Sequence, residues 1–178
     1  MYTPFFYVST NAVRMGASSS LAFYCVCFIN AGSTIGRLAA AVGDHWGTFN
    51  VLIVTSVGIA LMLLAFWIPL STVSALIGCS VMYGFFVGGY ISIIPACVAH
   101  TGPPSEIGIR VGLVWTFVAV FALTGPPISG ALLSHGGGVD SALGYKYAGA
   151  FSGAVCAVGA LFSVWSKKAI SGRLGGLK

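Results

Sequence analysis

Arg37 and Asp44 lie seven residues apart in the stretch Gly36-Arg37-Leu38-Ala39-Ala40-Ala41-Val42-Gly43-Asp44-His45-Trp46-Gly47. On a continuous helix that spacing is two turns, which puts a guanidinium and a carboxylate on one face, able to restrain the segment between them. A second pair, Glu106 and Arg110, opens a later apolar stretch. Glu106 sits there near a helix N-terminus, where a negative charge is stabilised by about 0.3 to 1 kcal/mol. These pairs suit latches rather than bond making. Catalysis needs a nucleophile with its base, or an acid and a base held close together, and His45, His100 and His135 fall singly at segment ends. The five cysteines form neither a CxxC nor a zinc-type spacing with histidine, so they read as reduced packing residues. No catalytic residue, metal centre or cofactor is expected.

The elements that must position these residues are almost uncharged. Of 178 residues, 57% are hydrophobic and 6% charged, with a mean hydropathy of +0.98. An average soluble domain carries about 25% charge. Eight lysines and arginines with three acids cannot coat a water-soluble globule, whereas a surface facing lipid needs almost no charge. The composition excludes a soluble protein and identifies an integral membrane protein. Its basic residues are scattered or terminal, so nucleic acid is not an expected partner.

Apolar runs of about 20 residues, enough to cross a hydrocarbon core of about 30 Å, fall at 17–43, 49–70, 73–99, 108–134 and 145–166. All are apolar on every face and longer than a strand needs, which excludes a barrel of alternating strands and predicts an all-α bundle. A shorter run, residues 2–13, would reach about 18 Å as a helix and cannot span alone. Its basic residue, Arg14, follows the apolar stretch instead of preceding it, unlike a signal peptide. The expected organisation is therefore a truncated helix end at 1–13, five spans within 17–166 and a basic tail at 167–178. If the five runs alternate, Arg37, Arg110, Lys167, Lys168, Arg173 and Lys178 share one side, against Arg14 and Lys146 on the other. Basic residues in short loops stay in the cytoplasm, which places the C-terminus there.

With the short run 2–13 counted as the first, the second and fifth of the six runs share a glycine-rich inner half, Asn30-Ala31-Gly32-Ser33-Thr34-Ile35-Gly36-Arg37-Leu38 and Leu123-Thr124-Gly125-Pro126-Pro127-Ile128-Ser129-Gly130-Ala131-Leu132. They are the middle members of two successive triplets and cross in opposite directions, the pattern of an inverted 3+3 repeat. The other reading is that glycine permits close helix packing. Gly84 with Gly88, and Gly149 with Gly153, are spaced four apart and predict packing faces. Gly125-Pro126-Pro127, with Gly130 a turn later, removes two backbone donors from an apolar helix and predicts a bend able to act as a hinge.

In four stretches the chain resembles the C-terminal half of a major facilitator superfamily transporter, of the monocarboxylate-transporter-like branch common in fungi. These are Tyr2-Thr3-Pro4-Phe5-Phe6-Tyr7, residues 30–47 with Ser33, Gly36, Arg37 and Asp44, the entry Gly108 to Gly112 with Arg110, and Gly125-Pro126-Pro127-Ile128-Ser129-Gly130. The resemblance implies that residues 2–13 end the seventh helix of a twelve-helix carrier and that the five long runs are helices eight to twelve. The N-terminal half is absent from this chain. It further implies secondary transport of a small organic solute by alternating access, with Gly36, Arg37, Asp44, Gly47 and Arg110 forming a cytoplasmic gate against the other half. It turns residues 2–13 and 73–99 toward a central pathway, making Tyr7, Asn11, Tyr83 and Tyr90 candidate solute contacts, with Tyr24, Asn30 and Trp115 on the neighbouring runs.

Asn30 and Thr34 stand where animal monocarboxylate carriers place an acid and an arginine about one turn apart. Such a pathway suits a neutral or aromatic solute beside a monocarboxylate. No ionisable group lies near the middle of a long run, so no proton relay is expected in this half. The implied partners are the lipid bilayer, the solute, and the missing N-terminal half or a full-length relative. The implied membrane is the plasma membrane, the vacuole or another endomembrane. Two products are open: half of a working transporter, or a truncated membrane protein that does not transport and is degraded or pairs with a full-length relative.

Overall fold

The computed structural model describes residues 2–67 and 72–175. Among them six helices follow one another and no strand forms. Helix α1 (Thr3–Arg14) has Pro4 in its first turn, where a missing N–H costs nothing, and Arg14 in its last, where a cation complements the helix dipole. Helices α2 (Ser19–Gly43), α4 (Val73–Ala99), α5 (Ile107–His135) and α6 (Ala142–Gly175) are long. Helix α3 (Thr48–Leu61) widens at its end into a π-helical stretch, Met62–Trp67.

Four stretches are long and apolar enough to cross a membrane, namely Ser19–Gly43, Val73–Ala99, Pro104–His135 and Ala142–Ala169. The apolar helix Thr48–Leu64 is shorter. The full span expected at 49–70 is thus seen as α3 with its π-helical extension, and residues 68–70 lie outside the described residues. Residues 167–175, expected within a tail, continue α6.

The α-helical geometry of α2 stops at Gly43, and Asp44–Trp46 tighten into a 3-10 turn. The unbroken two-turn path expected from Arg37 to Asp44 therefore breaks one residue early. The side chain of Asp44 lies outside the described residues. Gly47 follows at a φ of +96°, a left-handed backbone open to glycine, and redirects the chain into α3.

Helices in lipid gain little by expelling water, so pairing depends on close contact and shape. The α2–α4 seam meets this requirement with two glycines from each side. Gly32 and Gly36 face the carbonyls of Val81 and Phe85, while Gly84 and Gly88 face those of Ile29 and Ser33. A Cβ on Gly88 would come within 2.7 Å of the Ser33 carbonyl carbon, and one on Gly84 within 2.9 Å of that of Ile29. Backbone is what lies there, and it cannot swing aside. Gly84 and Gly88 are thus packing residues, and so are Gly32 and Gly36. Gly125 on α5 has nothing within 4 Å, so the glycines of the two similar segments do different work.

Around this seam Val8, Ile29, Leu63, Leu76, Tyr83 and Val87 are fully buried. Phe117, Leu123, Phe162 and Trp165 stand exposed on the outside, where lipid would cover them. Helix α5 is the least embedded, with only Ser129 and Leu133 buried. It packs mainly on α6 and more sparingly on α4 and α1.

Candidate binding cavity and charged rim

A cavity of about 510 Å³ lies between α1, α3, α4, α5 and α6. Its walls are mostly apolar, with Phe121 contributed by α5, Phe151 by α6 and Tyr90 by α4. No charged side chain among the described residues lines it.

The two prolines of α5 shape one wall. Pro126 and Pro127 carry no N–H, so the carbonyls of Ala122 and Leu123 lose their i+4 donors. The backbone nevertheless stays helical from Ile107 to His135. Ala122 lines the cavity, while Leu123 is exposed on the outside. The Tyr7 hydroxyl on α1 donates to the Pro126 carbonyl across 3.1 Å. Gly130 makes room for that phenol, since a Cβ there would stand 2.7 Å from the Tyr7 hydroxyl oxygen. Tyr7, Pro126 and Gly130, picked out separately in the sequence, thus form one contact. Tyr7→Phe should lower stability by about 1 kcal/mol, the usual net worth of one hydrogen bond. A melting temperature identical to that of the native chain would show that the bond contributes nothing.

Next to this contact, Thr3, Ser129 and Ser152 join α1, α5 and α6 through their hydroxyls. Ser152 donates to Thr3 Oγ1 at 2.7 Å, and Thr3 and Ser129 share a bond of 2.8 Å. All three are buried. Other hydroxyls of the long helices behave differently: Thr34, Ser80, Ser92, Thr116 and Ser163 each donate to the carbonyl four residues back. Sequence reasoning missed the trio as a site, because an isolated Ser or Thr in an apolar run looks the same whether it bonds to its own helix or to another.

The remaining candidates are dispersed. Tyr90 reaches the cavity. Trp115 is half-buried on α5, on the helical face shared with the cavity residues Val118 and Ala122. Tyr83 belongs to the core and meets Phe5 edge to face at 6.2 Å between ring centroids. Asn11 is buried, and its Oδ1 accepts two bonds from Arg14, of 3.1 and 2.9 Å, while the guanidinium lies 5.2 Å from the centre of the Tyr145 ring. Tyr24 and Asn30 are exposed on α2, and Asn30 returns its amide to the Val26 carbonyl at 3.0 Å. A polar side chain closed on its own helix in this way can face lipid or a partner.

At the opposite end, Arg110 donates to Glu106 at 2.8 Å and to the Pro103 carbonyl at 3.3 Å. Its side chain is 21% exposed against 59% for Glu106; one guanidinium nitrogen closes the loop, and a second, Nη1, is buried without a partner among the described residues. Arg37 is exposed, and the Glu106–Arg110 pair is the one ion pair among the described residues. Asn50 ties the preceding turn down by donating to the Trp46 carbonyl at 2.7 Å and accepting a bond from Lys167 of α6. His45, His100 and His135 are exposed and apart.

The family model of the Major Facilitator Superfamily matches residues 2–175. The chain belongs to this superfamily. Its relatives in the superfamily include MFS transporter asaE of Aspergillus flavus, 34% identical over 94% of this chain and 37% of its own length. The aspyridones efflux protein apdF of Emericella nidulans is 40% identical over 90% of this chain and 33% of its own length. An MFS-type transporter of Gibberella moniliformis is 36% identical over 98% and 41%. The chain therefore spans between a third and two fifths of the length of these relatives. No solved structure matches it. Superfamily membership and the long apolar helices make it an integral membrane protein with a partial MFS fold.

Proposed function

We propose that this MFS chain is the C-terminal six-helix half of a twelve-helix secondary transporter, α1 being the end of the seventh helix and α2 to α6 the eighth to twelfth. In this reading two halves, each built as an inverted repeat, rock about a site near the midplane and open it to either side in turn. The observation that carries it is a superfamily match over residues 2–175, in relatives of whose length the chain covers only 33% to 41%. The distribution of basic residues supports a cytoplasmic C-terminus, in the plasma membrane or an endomembrane. Gly36, Arg37, Asp44, Gly47 and Arg110 would form the cytoplasmic gate, and Gly125 to Gly130 the hinge.

The solute in this reading is a small, mainly apolar organic molecule that is exported. Relatives named for efflux of aspyridones, agnestins and fujikurins support this, as does a cavity without charge. Placement in the monocarboxylate-transporter-like branch rests on the motifs, and a carboxylate would find no cation in this cavity. A second reading, favoured by the same partial coverage, is a membrane protein that moves nothing by itself and pairs with a full-length relative.

Mapping the transcript upstream of Met1 and assaying the product in vesicles tests both readings. The expected result is a message encoding further apolar segments, whose product moves an apolar solute, with Pro126→Ala changing rate more than half-saturation. A message that starts at Met1 and yields an inert product would overturn transport and leave the pairing reading.

A further inference from the structure

We propose that the cavity binds a neutral solute with an apolar or aromatic body and a single hydroxyl-like group, and that this group docks on the hydroxyl chain of Thr3, Ser129 and Ser152. The other aliphatic hydroxyls at the same cavity are already committed: Ser56 donates to the Ile53 carbonyl at 2.9 Å and Thr124 to the Val120 carbonyl at 3.1 Å. The trio is not. Its three hydroxyls own three protons and make two bonds with one another, so one proton is left without an acceptor among the described residues. Ser152 donates to Thr3, which leaves the Ser152 oxygen free to accept. Thr3 and Ser152 both line the cavity. Ser129 does not line the cavity, so with Ser129 donating to Thr3 the spare proton is that of Thr3, and an incoming hydroxyl can accept it while donating to the Ser152 oxygen.

Polar atoms left open in a medium without water are costly, and a ligand that satisfies both kinds is selected over one that satisfies neither. An ion is selected against, because a carboxylate or ammonium entering here would lose its water and meet no opposite charge. A volume of about 510 Å³ falls in the ordinary range for small-molecule sites. The inference rests on the transport reading only in treating the ligand as cargo.

The test is equilibrium binding to the purified chain in nanodiscs, corrected for empty discs, with β-naphthol, its methyl ether and β-naphthoate as probes. β-Naphthol should bind about tenfold tighter than the ether, the worth of one net hydrogen bond, and naphthoate should bind more weakly than either. Thr3→Val and Ser152→Ala should each bring β-naphthol to the level of the ether without changing the ether. Thr3→Ser and Tyr90→Phe should keep the preference. If Ser152→Ala loses its thermal transition, the Thr3→Val and Thr3→Ser pair decides alone. Equal binding of the three probes, a preference that survives Thr3→Val, or one that vanishes in Tyr90→Phe would overturn the proposal. Selective binding by a chain whose longer product moves nothing would sink transport alone, and flux without hydroxyl preference would sink this proposal alone.

Discussion

Gly88→Leu should prevent α4 from docking on α2 and leave little monodisperse protein after detergent extraction. The first carbon of the new side chain already meets the Ser33 backbone, within 2.7 Å of the carbonyl carbon. Relief requires the helices to separate, which undoes the neighbouring contacts at Gly84, Gly32 and Gly36 as well. Forcing bulk into a closed contact costs about 3 kcal/mol and occasionally more, a large share of the margin by which a domain stays folded. Gly125→Ala serves as the comparison, because a Cβ there meets nothing within 4 Å and alanine favours a helix by about 1 kcal/mol over glycine. That variant should extract like the native chain. If Gly88→Leu did so too, the close approach of the two backbones would be wrong.

Arg37→Ala should act in the opposite way, leaving the fold intact while cutting transport by the complete carrier about tenfold. Gly36, immediately before it, is pinned against the Phe85 backbone, so the register of α2 is fixed at this level and Arg37 is held outward. An exposed arginine outside any ion pair among the described residues contributes within about 0.5 kcal/mol to stability. A strong effect on flux would therefore come from a gate contact, made either with Asp44, whose side chain lies outside the described residues, or with another half. Arg110, the other arginine of the proposed gate, differs in being tied through one guanidinium nitrogen to Glu106 and Pro103, so its loss should disturb the loop as well as the gate. Unaltered flux in Arg37→Ala, at equal amounts of inserted protein, would remove Arg37 from the gate.

The helical, membrane-embedded character was legible because apolar runs of this length leave few alternatives, and the spacing of four at Gly84 and Gly88 marked a packing face, although the same spacing at Gly108 and Gly112 meets nothing within 4 Å. What could not be read was how deep each residue of a uniformly apolar helix is packed. Tyr83 and Tyr90 lie two turns apart on one face of α4, yet one is sealed in the core and the other reaches the cavity. What separates them is their level along the helix, which composition does not show. Thr3 and Ser152 were hidden for another reason: they lie 149 residues apart, and no local pattern announces a bond over that distance. Tyr7 and Pro126, 119 residues apart, were each noticed for their own chemistry, but only the fold joins them. Between Arg37 and Asp44 the two-turn spacing assumed one kind of helix throughout, whereas the α-helix stops at Gly43 and a 3-10 turn at Asp44–Trp46 leads into Gly47 with its positive φ.

The glycine seam also bears on how the protein is made. α2 and α4 pack most extensively on each other, although α3 is synthesised between them. α2 must therefore enter the bilayer and wait there, its small-residue stripe covered by lipid tails, until α4 emerges. Because each glycine admits one particular carbonyl of the partner, a slip of one residue would drive a side chain into backbone. The seam thus acts as a vernier during assembly: it closes when α4 arrives at the right depth, and α3 with its π-helical extension is the spacer that sets that depth.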